Sequence, residues 1–116
     1  MSNPLKSCGK ERAFQLKTGK RYAVFIAPAA HRAYKKLDGA LQENVKSAAR
    51  KIAEDPYIFK ELRGPFKGIR SCPFTHEGVD YRIAYRVDEE QQRIEILLVK
   101  SRENFYKLLS KLLNQH

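Results

Sequence analysis

Tryptophan is absent from the sequence, methionine occurs once, cysteine twice and histidine three times, and no apolar run is long enough to span a bilayer. Each shortage excludes something. Cys8 and Cys72 make no metal-ligand spacing and are too few for a disulfide scaffold, and a bridge between them is disfavoured in a reducing cytosol. His31, His76 and His116 share no ligand spacing, and Asp38, Asp55 and Asp80 form no carboxylate cluster, so neither a metal site nor a cofactor is expected. The N-terminus lacks the apolar core of a signal peptide, which makes the cytoplasm the expected compartment, with no membrane partner. Internal repeats and low-complexity segments are also missing.

Acidic residues are the remaining scarcity. Lys and Arg number 23 against 13 Asp and Glu, for a net charge of +10 over 116 residues. A balance of that sign favours polyanions as partners. Its distribution matters as much as its size. Residues 1–21 hold Lys6, Lys10, Arg12, Lys17, Lys20 and Arg21 against Glu11 alone, so half of the net charge belongs to the first 21 residues. That stretch shows no periodicity and reads as a flexible basic arm, with one helical turn around Ala13–Leu16. A misassigned start codon is an alternative, because the regular pattern begins at Tyr22. The hydrophobic fraction of 42% and the six Tyr and six Phe suit one folded domain from residue 22 to residue 116.

Within that domain the apolar period changes halfway. Tyr22–Ala27 is a short β-rich run. Pro28 suits the first turn of a helix, and Ala30, Ala33, Tyr34 and Leu37 follow at helical spacing until Asp38-Gly39 ends it. Leu41, Val45, Ala48 and Ile52 then share one face of a second helix that Asp55-Pro56 stops. Gly68–Phe74 reads as a strand, placed at an edge or bulge by Pro73, and Thr75–Gly78 as a turn. Tyr81, Ile83, Tyr85 and Val87 alternate with Arg82, Ala84 and Arg86. Ile94, Ile96 and Leu98 mark the returning strand, and Phe105, Leu108, Leu109 and Leu112 a last amphipathic helix. The order β-α-α-β-β-β-α predicts an α+β fold, an antiparallel sheet packed against a helical hairpin and closed by a C-terminal helix.

Alternation sends Arg82 and Arg86 to the sheet face away from the hairpin. Arg70 on the preceding strand, Arg102 after the following one, Lys67 and Tyr106 are expected to gather on the same surface. Cations around a phenol suit a phosphodiester, giving charge neutralisation, a stacking ring and donors for a developing phosphorane. A solvated charged sheet face is an equally good account of the arginines alone. Cys72, Tyr34 and Tyr85 read as core residues, His31 as a surface residue, and His76 as an exposed turn residue before it is read as an acid or base.

Several motifs together carry a family likeness. Tyr22–Phe25 followed by Pro28-Ala29-Ala30, then Leu37-Asp38, Glu54-Asp55-Pro56, Leu62-Arg63-Gly64, Asp80-Tyr81-Arg82 leading into Ile83-Ala84-Tyr85, and Lys100-Ser101-Arg102 with Tyr106 resemble the RelE/ParE superfamily of type II toxin–antitoxin systems over residues 22–109. For the RelE branch the resemblance implies metal-free cleavage of messenger RNA on the ribosome, by attack of the 2′-hydroxyl on the adjacent phosphate. Arg82 would then contact the scissile phosphate, Arg102 would stabilise the transition state or protonate the leaving oxygen, and Tyr106 would stack on or orient a nucleotide. Lys67 and Arg70 stand where the family places further basic catalytic residues, and Arg86 and Lys100 would bind RNA. Lys100-Ser101-Arg102 departs from the Gly-His-Arg of many members, so a histidine base is missing there. A lysine serves as base only where its neighbours depress its pKa.

The resemblance implies a cognate antitoxin carrying acidic residues and an amphipathic helix, and it admits a homodimer or a toxin–antitoxin heterotetramer. Two other readings stand beside it. One is a ParE-like toxin that binds DNA gyrase without catalysis, and the other is a basic nucleic-acid-binding module without toxicity.

Overall fold

The computed structural model of the chain describes residues 14–16 and 21–114. Its strands are β1 (Phe14–Leu16), β2 (Ala23–Ile26), β3 (Arg70–His76), β4 (Val79–Asp88) and β5 (Arg93–Ser101), and its helices α1 (Pro28–Lys35), α2 (Gly39–Glu54) and α3 (Arg102–Leu113). They form the expected α+β arrangement with one addition and one change of sense. The addition is β1, a strand where a helical turn was expected, pairing antiparallel with β2 so that Leu16 faces Val24. Leu16 is buried in the core, and the Phe14 ring stacks on His31 of α1 at 4.2 Å. The rest of the basic arm, residues 1–13 and 17–20, lies outside the described residues, as does Cys8.

The change of sense concerns β2. The sheet runs β1-β2-β5-β4-β3, and β2 lies parallel to β5, so the sheet is mixed and not antiparallel throughout. Two hairpin turns give β5 the direction of β3. A parallel neighbour requires a crossover, which α1, α2 and residues 55–69 supply.

The helical hairpin forms as its sequence dictates. Pro28 occupies the first turn of α1, where its missing N–H costs no bond. Asp38 both ends that run and starts the next helix, its Oδ1 accepting from the Leu41 N–H at 2.8 Å. Leu41, Val45, Ala48, Ala49, Ile52 and Ala53 are buried along α2. All of these but Leu41 pack with Val24, Ile26, Ile83, Tyr85, Ile94 and Ile96 in the main core, where each large apolar side chain contributes about 1.5–3 kcal/mol. Tyr34, Tyr85 and Cys72 are core residues as expected, and the Tyr85 hydroxyl donates to the Pro56 carbonyl at 2.6 Å.

The opposite sheet face carries a second, smaller core. Phe105 and Leu109 of α3 are fully buried there against Ala84, Leu97 and Ile69. Between Ala84 and Tyr85 the β4–β5 register slips, so that Ala84 faces Leu98 while Tyr85 faces Ile96. This bulge turns Leu98 onto the α3 side, away from the face of Ile94 and Ile96 that strict alternation assigned it. The β3–β4 turn is tight: Glu77 (φ 50°) and Gly78 (φ 79°) both take left-handed backbone, the combination of a type I′ hairpin.

Candidate functional site

The face that carries α3 is organised by the side-chain alternation of β4. Ala84 is buried beneath the helix, and Arg82, two residues earlier, emerges where α3 begins. In the ladder Arg82 lies between Pro73 of β3 and Lys100 of β5. Lys100 is exposed, whereas Arg82 is half-buried. The Arg82 Nη1 donates to the Ser71 Oγ at 3.4 Å, and its Nε is buried with no hydrogen-bond partner among the described residues. A buried guanidinium nitrogen left without an acceptor is costly, and an anion is what satisfies it.

Arg102 follows at the first position of α3, the positive end of the helix, where a cation is disfavoured by roughly 0.3–1 kcal/mol. Its Nη1 reaches the Asp80 Oδ2 at 4.0 Å, both side chains being largely exposed, and Ser101 before it makes no side-chain cap bond. Tyr106 lies one turn on, 42% exposed, its ring tilted against Phe66 at 6.0 Å and edge-on to Phe105 at 4.9 Å. Phe66 belongs to the short 3-10 turn Gly64–Phe66, so the loop that presents the exposed Lys67 packs directly on the Tyr106 ring. Gly68 (φ 89°) lets that loop turn into β3, and its N–H donates to Glu61 at 2.8 Å.

Five of the expected residues therefore share this region: Arg82 and Lys100 by register, Arg102 and Tyr106 on the helix, and Lys67 through its neighbour Phe66. Arg70 does not join them. Its ladder partner is Tyr85, a residue of the helical-hairpin face, so it points away from Arg82. Its guanidinium donates to the Phe59 carbonyl at 2.8 Å, reaches Glu61 at 3.8 Å and covers the Tyr57 ring at 4.9 Å. Those contacts tie the 57–61 loop to the sheet. Arg86 is on the right face but apart from Arg82, ~13 Å along the strand, with the buried Ala84 between them. It pairs with Glu95 at 3.0 Å.

Three supporting residues escaped sequence reasoning. Ser71, buried at 4% exposure, holds Arg82; Asp80 meets Arg102; Phe66 backs Tyr106. Asp80 stood inside a recognised motif; Ser71 becomes visible only once the strand register is known, and Phe66 only once the Gly64–Phe66 turn is placed against α3. His76 is the converse case. It is the last residue of β3 and buried, not an exposed turn residue, and its Nδ1 accepts from the Asn44 Nδ2 at 2.7 Å.

Burial pushes the Cys72 thiol up to about 11, which makes it a poor nucleophile. Tyr22 and Tyr57 both donate to the Glu89 Oε2, which raises both phenols, Tyr57 to about 12, and lowers the carboxylate. That clasp joins the start of β2, the 55–61 loop and the β4–β5 turn. Among the described residues no three His, Cys, Asp or Glu side chains are grouped so as to hold a metal ion, and no helix is long and apolar enough to cross a membrane.

Comparison with known proteins places this arrangement. Residues 24–110 match the family described as ParE-like toxin of type II bacterial toxin–antitoxin system. Among solved structures, the chain resembles one from the toxin–antitoxin complex RelBE2 of Mycobacterium tuberculosis, at 29% identity and a TM-score of 0.60, over 72% of this chain and 93% of that one. The isolated RelE toxin of Escherichia coli matches at 24% identity and a TM-score of 0.58, over 79% and 98%. A free double-arginine mutant of that toxin matches at 18% identity and a TM-score of 0.67, over 82% and 97%. Curated proteins give no match.

Proposed function

The chain belongs to the ParE-like toxin family of type II bacterial toxin–antitoxin systems, and from that premise we propose that it is a metal-independent endoribonuclease that cleaves messenger RNA on the ribosome. The observation that carries this reading is Arg82: a half-buried guanidinium, steadied by Ser71, with an unpartnered Nε and a lysine directly across the ladder. Arg82 and Lys100 hold the scissile phosphate. The 2′-hydroxyl of the preceding nucleotide attacks phosphorus, the bond to the 5′-oxygen of the next nucleotide breaks, and the products end in a 2′,3′-cyclic phosphate and a 5′-hydroxyl. Arg102 neutralises the charge of the phosphorane, and Tyr106, with its ring partly exposed and braced by Phe66, stacks on a flanking base. Lys67 supplies a further cation beside that ring. A cognate antitoxin with acidic side chains would silence the toxin by covering these cations.

A second reading is a toxin that binds DNA gyrase without catalysis; it is compatible with the match to the ParE-like toxin family, whose description names no target. Induced expression separates the two. Cleaved transcripts and an immediate halt of translation support the ribonuclease. Growth arrest with DNA damage and intact transcripts supports the gyrase binder and overturns the first reading.

A further inference from the structure

Two clefts flank the segment Lys100-Ser101-Arg102, and they differ in charge. One is lined by Asp80, Ser101, Arg102 and Glu103, so two carboxylates share it with a single arginine. The other, of about 610 Å³, lies between α1 and the end of β5, and Arg32, Lys36 and Lys100 line it with no carboxylate. Its size is that of a cavity holding a nucleotide-sized ligand, roughly 300–1,000 Å³. β2 pairs with β5 only as far as Ile96, so beyond that residue α1 and the start of α3 form the walls. Tyr81, half-buried with its ring stacked on Phe74 at 5.3 Å, and Asn104 also line it, next to Leu37 and Val99.

We infer that this groove is a second RNA subsite, which carries the single strand away from the scissile phosphate on one side only; the inference rests on the ribonuclease reading. Lys100 is the link. It stands opposite Arg82 in the ladder and also lines the groove, at the edge of β5 that β2 leaves uncovered beyond Ile96, so a strand leaving the scissile phosphate rounds that edge to enter it. A polyanion continuing from there meets Asp80 and Glu103 in one direction and Arg32 and Lys36 in the other. The strand follows the cations. Tyr81 gives a base a ring face, and Asn104 offers both a donor and an acceptor to a base edge. The subsite therefore sets how many nucleotides on that side of the cut the toxin senses.

The test uses the full chain on programmed ribosomes. The messenger carries a 2′-deoxy residue that blocks cleavage, with 4-thiouridine one or two positions to either side. Cross-links to residues 32–37 and 104 from one side alone are expected. Arg32→Gln with Lys36→Gln should weaken binding of a long single-stranded RNA while sparing a trinucleotide, and lower the salt slope of binding by roughly 1.4, at about 0.7 per lost phosphate contact. Arg82→Ala should weaken binding of both. Cross-links to residues 78–80 or 103, or a double variant that binds long RNA like the wild type, overturn the inference while leaving the ribonuclease reading intact. A double variant that still cleaves normally but loses affinity for the antitoxin assigns the groove to that protein and also overturns it. A wild-type chain that neither binds nor cleaves an all-ribose messenger sinks both.

Discussion

Arg82 and Lys100 occupy directly opposed positions in the antiparallel β4–β5 ladder, two cations on one face of the sheet. Like charges so placed destabilise a sheet, by an amount comparable to the 0.2–1 kcal/mol of a favourable cross-strand pair. The placement makes sense as an anion site whose ligand offsets the repulsion. Lys100→Gln is therefore expected to raise thermal stability slightly, by about 0.2–1 kcal/mol, while weakening RNA binding and slowing cleavage. Thermal melts and cleavage assays on one preparation check it, and a loss of stability would contradict the account.

Arg70 offers the contrasting case. Its guanidinium serves the Phe59 carbonyl, Glu61 and the Tyr57 ring on the other sheet face. Arg70→Ala should cost about 1.5–3 kcal/mol of stability, the range for a hydrogen bond to a charged group, with kcat of the folded fraction unchanged. Denaturant unfolding alongside cleavage kinetics measures both. A stable but inactive variant would return Arg70 to the site.

Much of this was legible in the sequence, and the reasons are local. Pro28, Asp38 and Asp55-Pro56 bracket two helices whose apolar stripes are regular, and the alternation from Tyr81 to Val87 assigns the face of Arg82 without any structure. What escaped depends on long-range pairing. The parallel sense of β2, the bulge that turns Leu98 around and the face of Arg70 are properties of the ladder, not of any short segment. Phe14–Leu16 carries too few residues to show a period, and its strand exists because β2 offers an edge.

Tyr106 should act through its ring. Base–aromatic stacking contributes about 1–3 kcal/mol per base, so Tyr106→Ala should lower kcat/KM by roughly 5- to 150-fold. Tyr106→Phe should retain most of the activity. Equal losses in the two variants would show that the hydroxyl, not the ring face, is what the substrate uses.

The Glu89 clasp predicts an acid dependence of stability. Tyr22 and Tyr57 donate to the carboxylate and hold its pKa below the ordinary glutamate value, so the folded state binds that proton more weakly than the unfolded state does. The contribution is complete above the unfolded value of about 4.3 and is lost as the pH falls through the depressed folded value. The melting temperature of the wild type should exceed that of Glu89→Gln near neutrality, and the gap should narrow as the pH falls below about 4.3. A gap independent of pH would contradict the assignment.

The central claim is that Arg82 holds a phosphate for attack by the neighbouring 2′-hydroxyl. Its most direct test is product analysis on programmed ribosomes, comparing the wild type with Arg82→Ala on an all-ribose messenger and on one with a single 2′-deoxy residue at the cut. The account predicts a 2′,3′-cyclic phosphate from the wild type on the ribose messenger, a rate lower by at least about 100-fold, roughly 2.7 kcal/mol, in Arg82→Ala, and no cut at the deoxy position. An uncut ribose messenger, or cleavage at the deoxy position, would contradict it.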